Sequence, residues 1–193
     1  QGTKAMAETA IEANDASGGG LDTLLLFLWR CGTLFTGVVA LVMGVLYVKQ
    51  ESLLYFPSIG GLPRHTSQNP RRYRSPAEHD VPFETHVIAC ADGTTIHSWL
   101  LYHPQKNNGL GGKKAPTVIF FHGNAGNIGM RLPNAMQMYR YLRANVWLVE
   151  YRGFGDSDDA PVNEAGLKMD AEAVWDYVHN NKMREVDPRR LFV

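Results

Sequence analysis

Cysteine is nearly missing from this sequence. Cys31 and Cys90 are the only two in 193 residues, and Cys31 lies inside an apolar run, so a disulfide framework is excluded. Metal-ligand spacing is missing as well: neither the cysteines nor the seven histidines (His65, His79, His86, His97, His103, His122 and His179) form a Cys-x-x-Cys or His-x-x-x-His pair, so no metal and no cofactor is expected. Net charge is absent, with 19 basic residues against 19 acidic ones, which removes the electrostatic case for nucleic acid as a partner. What is present is a globular balance, 45% apolar and 20% charged, at a length that suits one domain and an appendage. The chain opens at Gln1, has its first methionine at Met6 and closes on the apolar Leu191-Phe192-Val193, from which a piece of a longer polypeptide is expected.

Residues 1–22 are rich in Ala, Gly, Asn, Asp and Glu and poor in apolar surface, which predicts a flexible tail. From Cys31 to Val48 no residue is charged, and the apolar character reaches back over Thr23 to Trp29 if Arg30 is tolerated. That length covers ~30 Å of hydrocarbon, so residues 23–48 are read as a single transmembrane anchor. Trp29 and Tyr47 sit near its ends, where amphipathic rings favour the headgroup level, and Arg30 can snorkel. No Ala-x-Ala-like site follows the run, which continues Lys49-Gln50-Glu51-Ser52, so a permanent anchor is favoured over a cleaved signal peptide. The charge bias around the span is too weak to orient it. Residues 49–80, rich in Pro, Arg, Ser and Gly, are read as a linker in which Arg71, Arg72 and Arg74 either meet anionic headgroups or stay solvated.

The folded part is expected over 81–193. Phe83 to Cys90 alternates apolar and polar residues, Asp92-Gly93 is a turn signal, and Thr94 to Tyr102 resumes a strand pattern, which together predict a β-hairpin. A loop over 103–115, containing Asn107, Asn108, Gly109, Gly111 and Gly112, leads to Thr117–Phe121, an unbroken β-branched and aromatic run that reads as a fully buried strand. A helix over 129–143, a second buried strand over 145–150, a helix capped by Asn163 and running to about Asn181, and a strand opening at Arg190–Val193 complete the pattern. The fold class is therefore α/β, a β-hairpin followed by a parallel βαβαβ unit.

Two glycine-rich loops follow the two buried strands. In His122-Gly123-Asn124-Ala125-Gly126-Asn127 a strand hands over to a helix, a turn that aims free backbone N–H groups outward and suits an anion. The anion is either the oxygen of a tetrahedral intermediate or a pyrophosphate, with Gly123, Gly126 and Gly129 imitating a dinucleotide fingerprint and Glu150 imitating its ribose ligand. Spacing favours the first: the fingerprint separates its first two glycines by one residue, whereas here two intervene. The second loop, Tyr151-Arg152-Gly153-Phe154-Gly155-Asp156-Ser157, is not a nucleophile elbow, because Asp159 stands where Gly-x-Ser-x-Gly needs its last glycine; Ser157 is read as structural.

Taken together and in this order, His122 to Gly129 and Tyr151 to Ser157, with Leu53-Leu54-Tyr55-Phe56-Pro57, Arg131 to Ala135, and Glu172 to Val178, resemble the α/β-hydrolase superfamily, in particular the membrane-anchored group of α/β-hydrolase domain-containing protein 13 and its fungal relatives. The resemblance is to the N-terminal part of such proteins. It implies a serine hydrolase on a single-pass anchor, acting on an ester, thioester or amide of an acyl-type small molecule, lipid or acylated protein. It also implies that the backbone N–H of Asn124 is one oxyanion donor, shaped by His122 and Gly123. Nucleophile, acid and base follow in such proteins after the strand that opens at Arg190, and none has a position in this sequence, so residues 1–193 alone are expected to be inactive. A membrane-tethered α/β binding module without turnover, and a nucleotide-binding α/β protein, are the alternatives.

Overall fold

The computed structural model describes residues 2–57, 60–104, 114–180 and 186–193. Most of the loop expected over 103–115, including its Asn and Gly residues, lies outside the described residues, as does Asn181. The chain divides into two units, residues 1–50 and 51–193.

The first unit is helical. Helix α1 runs over Gly2–Leu54, so it covers the segment expected to be a flexible tail. Alanines at 5, 7, 10, 13 and 16 supply helix propensity there. Its Gly19–Leu54 stretch, with mean hydropathy 2.1, is long and apolar enough to cross a membrane by length and composition. Two of its threonine hydroxyls turn back onto the helix: Thr23 Oγ1 donates to Gly19 O (2.7 Å) and Thr36 Oγ1 to Gly32 O (2.9 Å), so neither presents an open donor to an apolar solvent.

The second unit is built on a five-stranded sheet: β1 (Phe83–Ala89), β2 (Thr95–Leu101), β3 (Thr117–Phe121), β4 (Asn145–Val149) and β5 (Leu191–Phe192), in the order β1-β2-β4-β3-β5. β1 and β2 form the expected hairpin, with Gly93 at φ +85° in a turn where a side chain would be strained. β2 pairs antiparallel with β4, while β3 runs parallel to both β4 and β5. Helix α2 (Leu132–Leu142) lies between β3 and β4 in sequence, and helix α3 (Glu164–Asn180) between β4 and β5.

All five residues of β4 are buried because both sheet faces are covered. Trp147 and Val149 point to one face, where they join Ile88, Ile96, Leu100 and the Val174 and Val178 side chains of α3. Val146 and Leu148 point to the other, with Trp99, Leu101 and the Leu132, Ala135 and Met136 side chains of α2. The two-residue period of a strand thus places one helix on each side. Asn163 Oδ1 accepts from Gly166 N (2.7 Å) and caps α3 as expected. Before α2 the chain makes a 3-10 turn, Ile128–Arg131, because Asn127 caps that turn and Pro133, which has no N–H to donate, suits only a helix's first turn.

The segment read as a linker, 49–80, does not stand apart. From Glu51 it belongs to the compact unit, with α1 ending at Leu54, short 3-10 turns at Thr66–Gln68 and Pro76–His79, and Asn69 fully buried. Its anchoring is polar. Asn69 and Asn127 exchange amide hydrogen bonds (2.7 and 3.0 Å), and Asn127 Nδ2 also donates to Pro63 O and Arg64 O. Such contacts leave no hydrophobic period to read in the sequence.

Candidate active site

The loop after β3 and the loop after β4 meet around one buried pair. His122 and Glu150 have fully buried side chains and approach to 2.7 Å between Nε2 and Oε1. His122 Nδ1 lies 2.8 Å from Gly123 O; a carbonyl only accepts, so Nδ1 carries a proton and donates it. The other carboxylate oxygen of Glu150 accepts from Ile128 N–H at 2.9 Å, at the entrance to the 3-10 turn. Both Glu150 oxygens are therefore engaged inside the protein. Space for that carboxylate exists because residue 155 is glycine: a Cβ there would lie 2.0 Å from Glu150 Oε2, and its φ of +49° is a left-handed conformation.

Asn124 is exposed, and its side chain grips the chain that follows α1: Oδ1 accepts from Phe56 N–H (2.9 Å) and Nδ2 donates to Leu54 O. The next two residues, Ala125 and Gly126, are both left-handed (φ +78° and +75°), which turns the loop sharply. Among the described residues the backbone N–H of Asn124 has no acceptor. Asn124 lines a cavity of about 250 Å³ together with Leu54, Tyr55, His122, Tyr151, Phe154 and Leu167. Tyr151 and Phe154 pack against the His122 ring with centroids 4.8 and 5.5 Å away. Burial, followed by the Asp170 and Glu150 charges, pushes the Tyr151 phenol up to about 12, so it keeps its proton and serves as a donor, not a base.

The second loop is fixed from beneath. Arg152 donates through Nε to Asp170 Oδ1 (2.8 Å) and through a terminal nitrogen to Asp92 Oδ2 (2.6 Å), while its backbone N–H donates to Asp170 Oδ2 (3.0 Å). The hydrogen bond from Arg152, aided by Thr94 N–H, holds the Asp92 carboxyl down at about 2. Because the folded value lies below the ordinary one near 4, this contribution is complete above pH ~4 and is lost as pH falls towards 2. Urea midpoints at pH 7, 4 and 2.5 should therefore fall across the acid limb, and Asp92→Asn should flatten that fall.

The remaining candidate nucleophiles are occupied. Ser157 is buried and its Oγ accepts from His97 N–H (2.9 Å), the structural role read from the sequence. Cys90 is raised to about 12, first by burial and then by its bond to Asp170, and remains a thiol whose Sγ donates to Asp170 Oδ1 (3.3 Å). Of the histidines, His122 alone lines the cavity.

The structure thus brings together both glycine-rich loops, and it adds residues that sequence reasoning missed. Leu54, Tyr55 and Phe56 form part of the site, and His65 and Thr66 bind Asp156 (2.9 and 2.5 Å) at the far end of the second loop. The only advance signal was the Leu53 to Pro57 motif.

No family model matches the chain. It is 34% identical over 141 residues to Protein bem46 of Schizosaccharomyces pombe, covering 73% of this chain and 43% of that protein. It is 31% identical over 159 residues to alpha/beta hydrolase domain-containing protein WAV2 of Arabidopsis thaliana, covering 82% of this chain and 47% of that one. An uncharacterized membrane protein of Saccharomyces cerevisiae is 28% identical over 151 residues, covering 76% of this chain and 48% of the yeast protein. The chain spans about half the length of these curated relatives.

Proposed function

We propose that this chain, which belongs to the α/β-hydrolase superfamily as a relative of the fungal Bem46 protein, is the N-terminal, oxyanion-hole half of a membrane-anchored serine hydrolase. The observation that supports this is the Asn124 backbone N–H, which has no acceptor among the described residues, in the loop after β3 at an exposed residue that lines a largely apolar cavity. In this reading a serine beyond residue 193 attacks the carbonyl carbon of an ester, thioester or amide, and the electron pair moves to the carbonyl oxygen. Asn124 N–H donates to that oxygen as charge develops. Collapse expels the alcohol, thiol or amine and leaves an acyl-enzyme, which water hydrolyses. The His122–Glu150 pair holds the loop and moves no proton of the substrate, because each of its polar atoms already has a partner. Residues 23–48 act as the anchor; the length and hydropathy of α1 support this role, as does the name of the yeast relative, a membrane protein.

A fluorophosphonate probe applied to the full-length polypeptide tests the reading. Covalent labelling at one serine C-terminal to Val193 is expected, together with no labelling of residues 1–193 expressed alone. A full-length product that stays unlabelled would support the other reading, a tethered binding module. The nucleotide-binding alternative loses its ribose ligand, since both Glu150 oxygens are held within the protein.

A further inference from the structure

We propose that the groove between the 71–79 segment and helix α2 is a binding site for a phosphate group. The groove encloses about 430 Å³, and Arg71, Arg72 and His79 line it from one side, Arg140 and Tyr141 from the other. No carboxylate is among its lining residues. Three arginines from two elements far apart in sequence therefore line one groove, in a chain whose net charge is zero.

Three other arginines of the second unit have carboxylate partners: Arg64 pairs with Asp159 (2.8 Å), Arg152 with Asp92 and Asp170, and Arg189 with Asp187. Arg71, Arg72 and Arg140 have no such partner among the described residues, and all three are exposed. Like charges held together without a counterion repel, and an anion in the groove relieves that repulsion. The planar fork of a guanidinium matches two oxygens of one phosphate, and the Tyr141 hydroxyl can donate to a third.

The arginine-bearing turn is held firmly in place. Arg72 is left-handed (φ +73°), a conformation that costs a non-glycine residue strain, and its carbonyl accepts from His79 Nε2 at 2.8 Å. The carbonyl of Tyr73 accepts from the buried Asn69 amide at 2.8 Å, and it approaches Gly129 so closely that a Cβ there would lie 2.1 Å from it. The backbone that carries Arg71 and Arg72 is thus set before any ligand arrives, which lowers the cost of binding. The site makes no contact with the acyl-transfer cavity and does not depend on that assignment.

Isothermal titration calorimetry on the full-length polypeptide in neutral detergent micelles, with inorganic pyrophosphate and with dihexanoyl phosphatidic acid, tests the proposal. At least one should bind saturably. Arg140→Gln on α2, and separately Arg71→Gln with Arg72→Gln, should each weaken it by about tenfold or more, while Arg140→Lys loses less. These side chains are exposed, and unchanged melting curves would show that the variants fold. Binding of both ligands identifies free phosphate chemistry, and binding of the phosphatidic acid alone identifies a lipid headgroup. If neither ligand binds, or if affinity is unchanged in both sets of glutamine variants, the site is overturned.

Discussion

Replacing Glu150 by alanine should lower the stability of the 51–193 unit by about 3–5 kcal/mol, the range for breaking a buried, hydrogen-bonded pair from one side. The magnitude follows from what the truncation strands. Ile128 N–H loses its acceptor, His122 Nε2 loses its partner, and a void opens beneath Gly155, where the carboxylate now fills the space a side chain would occupy. Each buried polar group left without a partner costs about 1–3 kcal/mol, so two of them reach that range before the void is added. Glu150→Gln keeps the shape, keeps an acceptor for Ile128 N–H and can donate to a neutral His122 ring, so its loss should be much smaller. Urea unfolding of both variants is the measurement. A loss for alanine no greater than for glutamine would show that the two loops are not joined through this carboxylate.

The second large effect is kinetic. Asn124→Pro removes one backbone N–H, and if the full-length polypeptide is the proposed hydrolase it should reduce kcat by about 10²–10³ with little change in KM. The split follows from timing, since the donor meets full negative charge only in the tetrahedral transition state. Asn124→Ala is the necessary companion. It keeps the N–H but gives up the side-chain bonds to Leu54 O and Phe56 N–H, so it should lose stability, about 1–2 kcal/mol, more than rate. Steady-state kinetics on the two variants, each matched to wild type by far-ultraviolet circular dichroism, separates the two roles. If proline at 124 leaves kcat within about threefold of wild type, this amide is not the donor.

How much of this was legible beforehand depended on which force placed each residue. β3 was read to its boundaries, β4 to within one residue and the hairpin to within one residue at each end, because β-branched and aromatic runs are what a sheet covered on both faces demands. The meeting of the two loops was foreshadowed by their positions after adjacent parallel strands, whose C-terminal ends lie side by side. Segments placed by hydrogen bonds were not legible. Nothing periodic marks Asn69 or Asn127, although their paired amides tie the 60–74 stretch to the site, and that stretch was read as linker. The helical assignment of the N-terminal segment was not legible for a different reason: alanine contributes little apolar surface but much helix propensity, and α1 runs through it from Gly2.

The hold of Asn124 on the backbone around Tyr55 sets a practical limit on how the protein can be trimmed. A shortened form that begins at Val81, where strand patterning first becomes visible, would discard two partners of the Asn124 amide, a wall of the cavity, and the Asn69 side chain on which Asn127 rests. A cut at Glu51, the first residue of the compact unit, keeps every one of these, and is the boundary from which a detergent-free preparation should start.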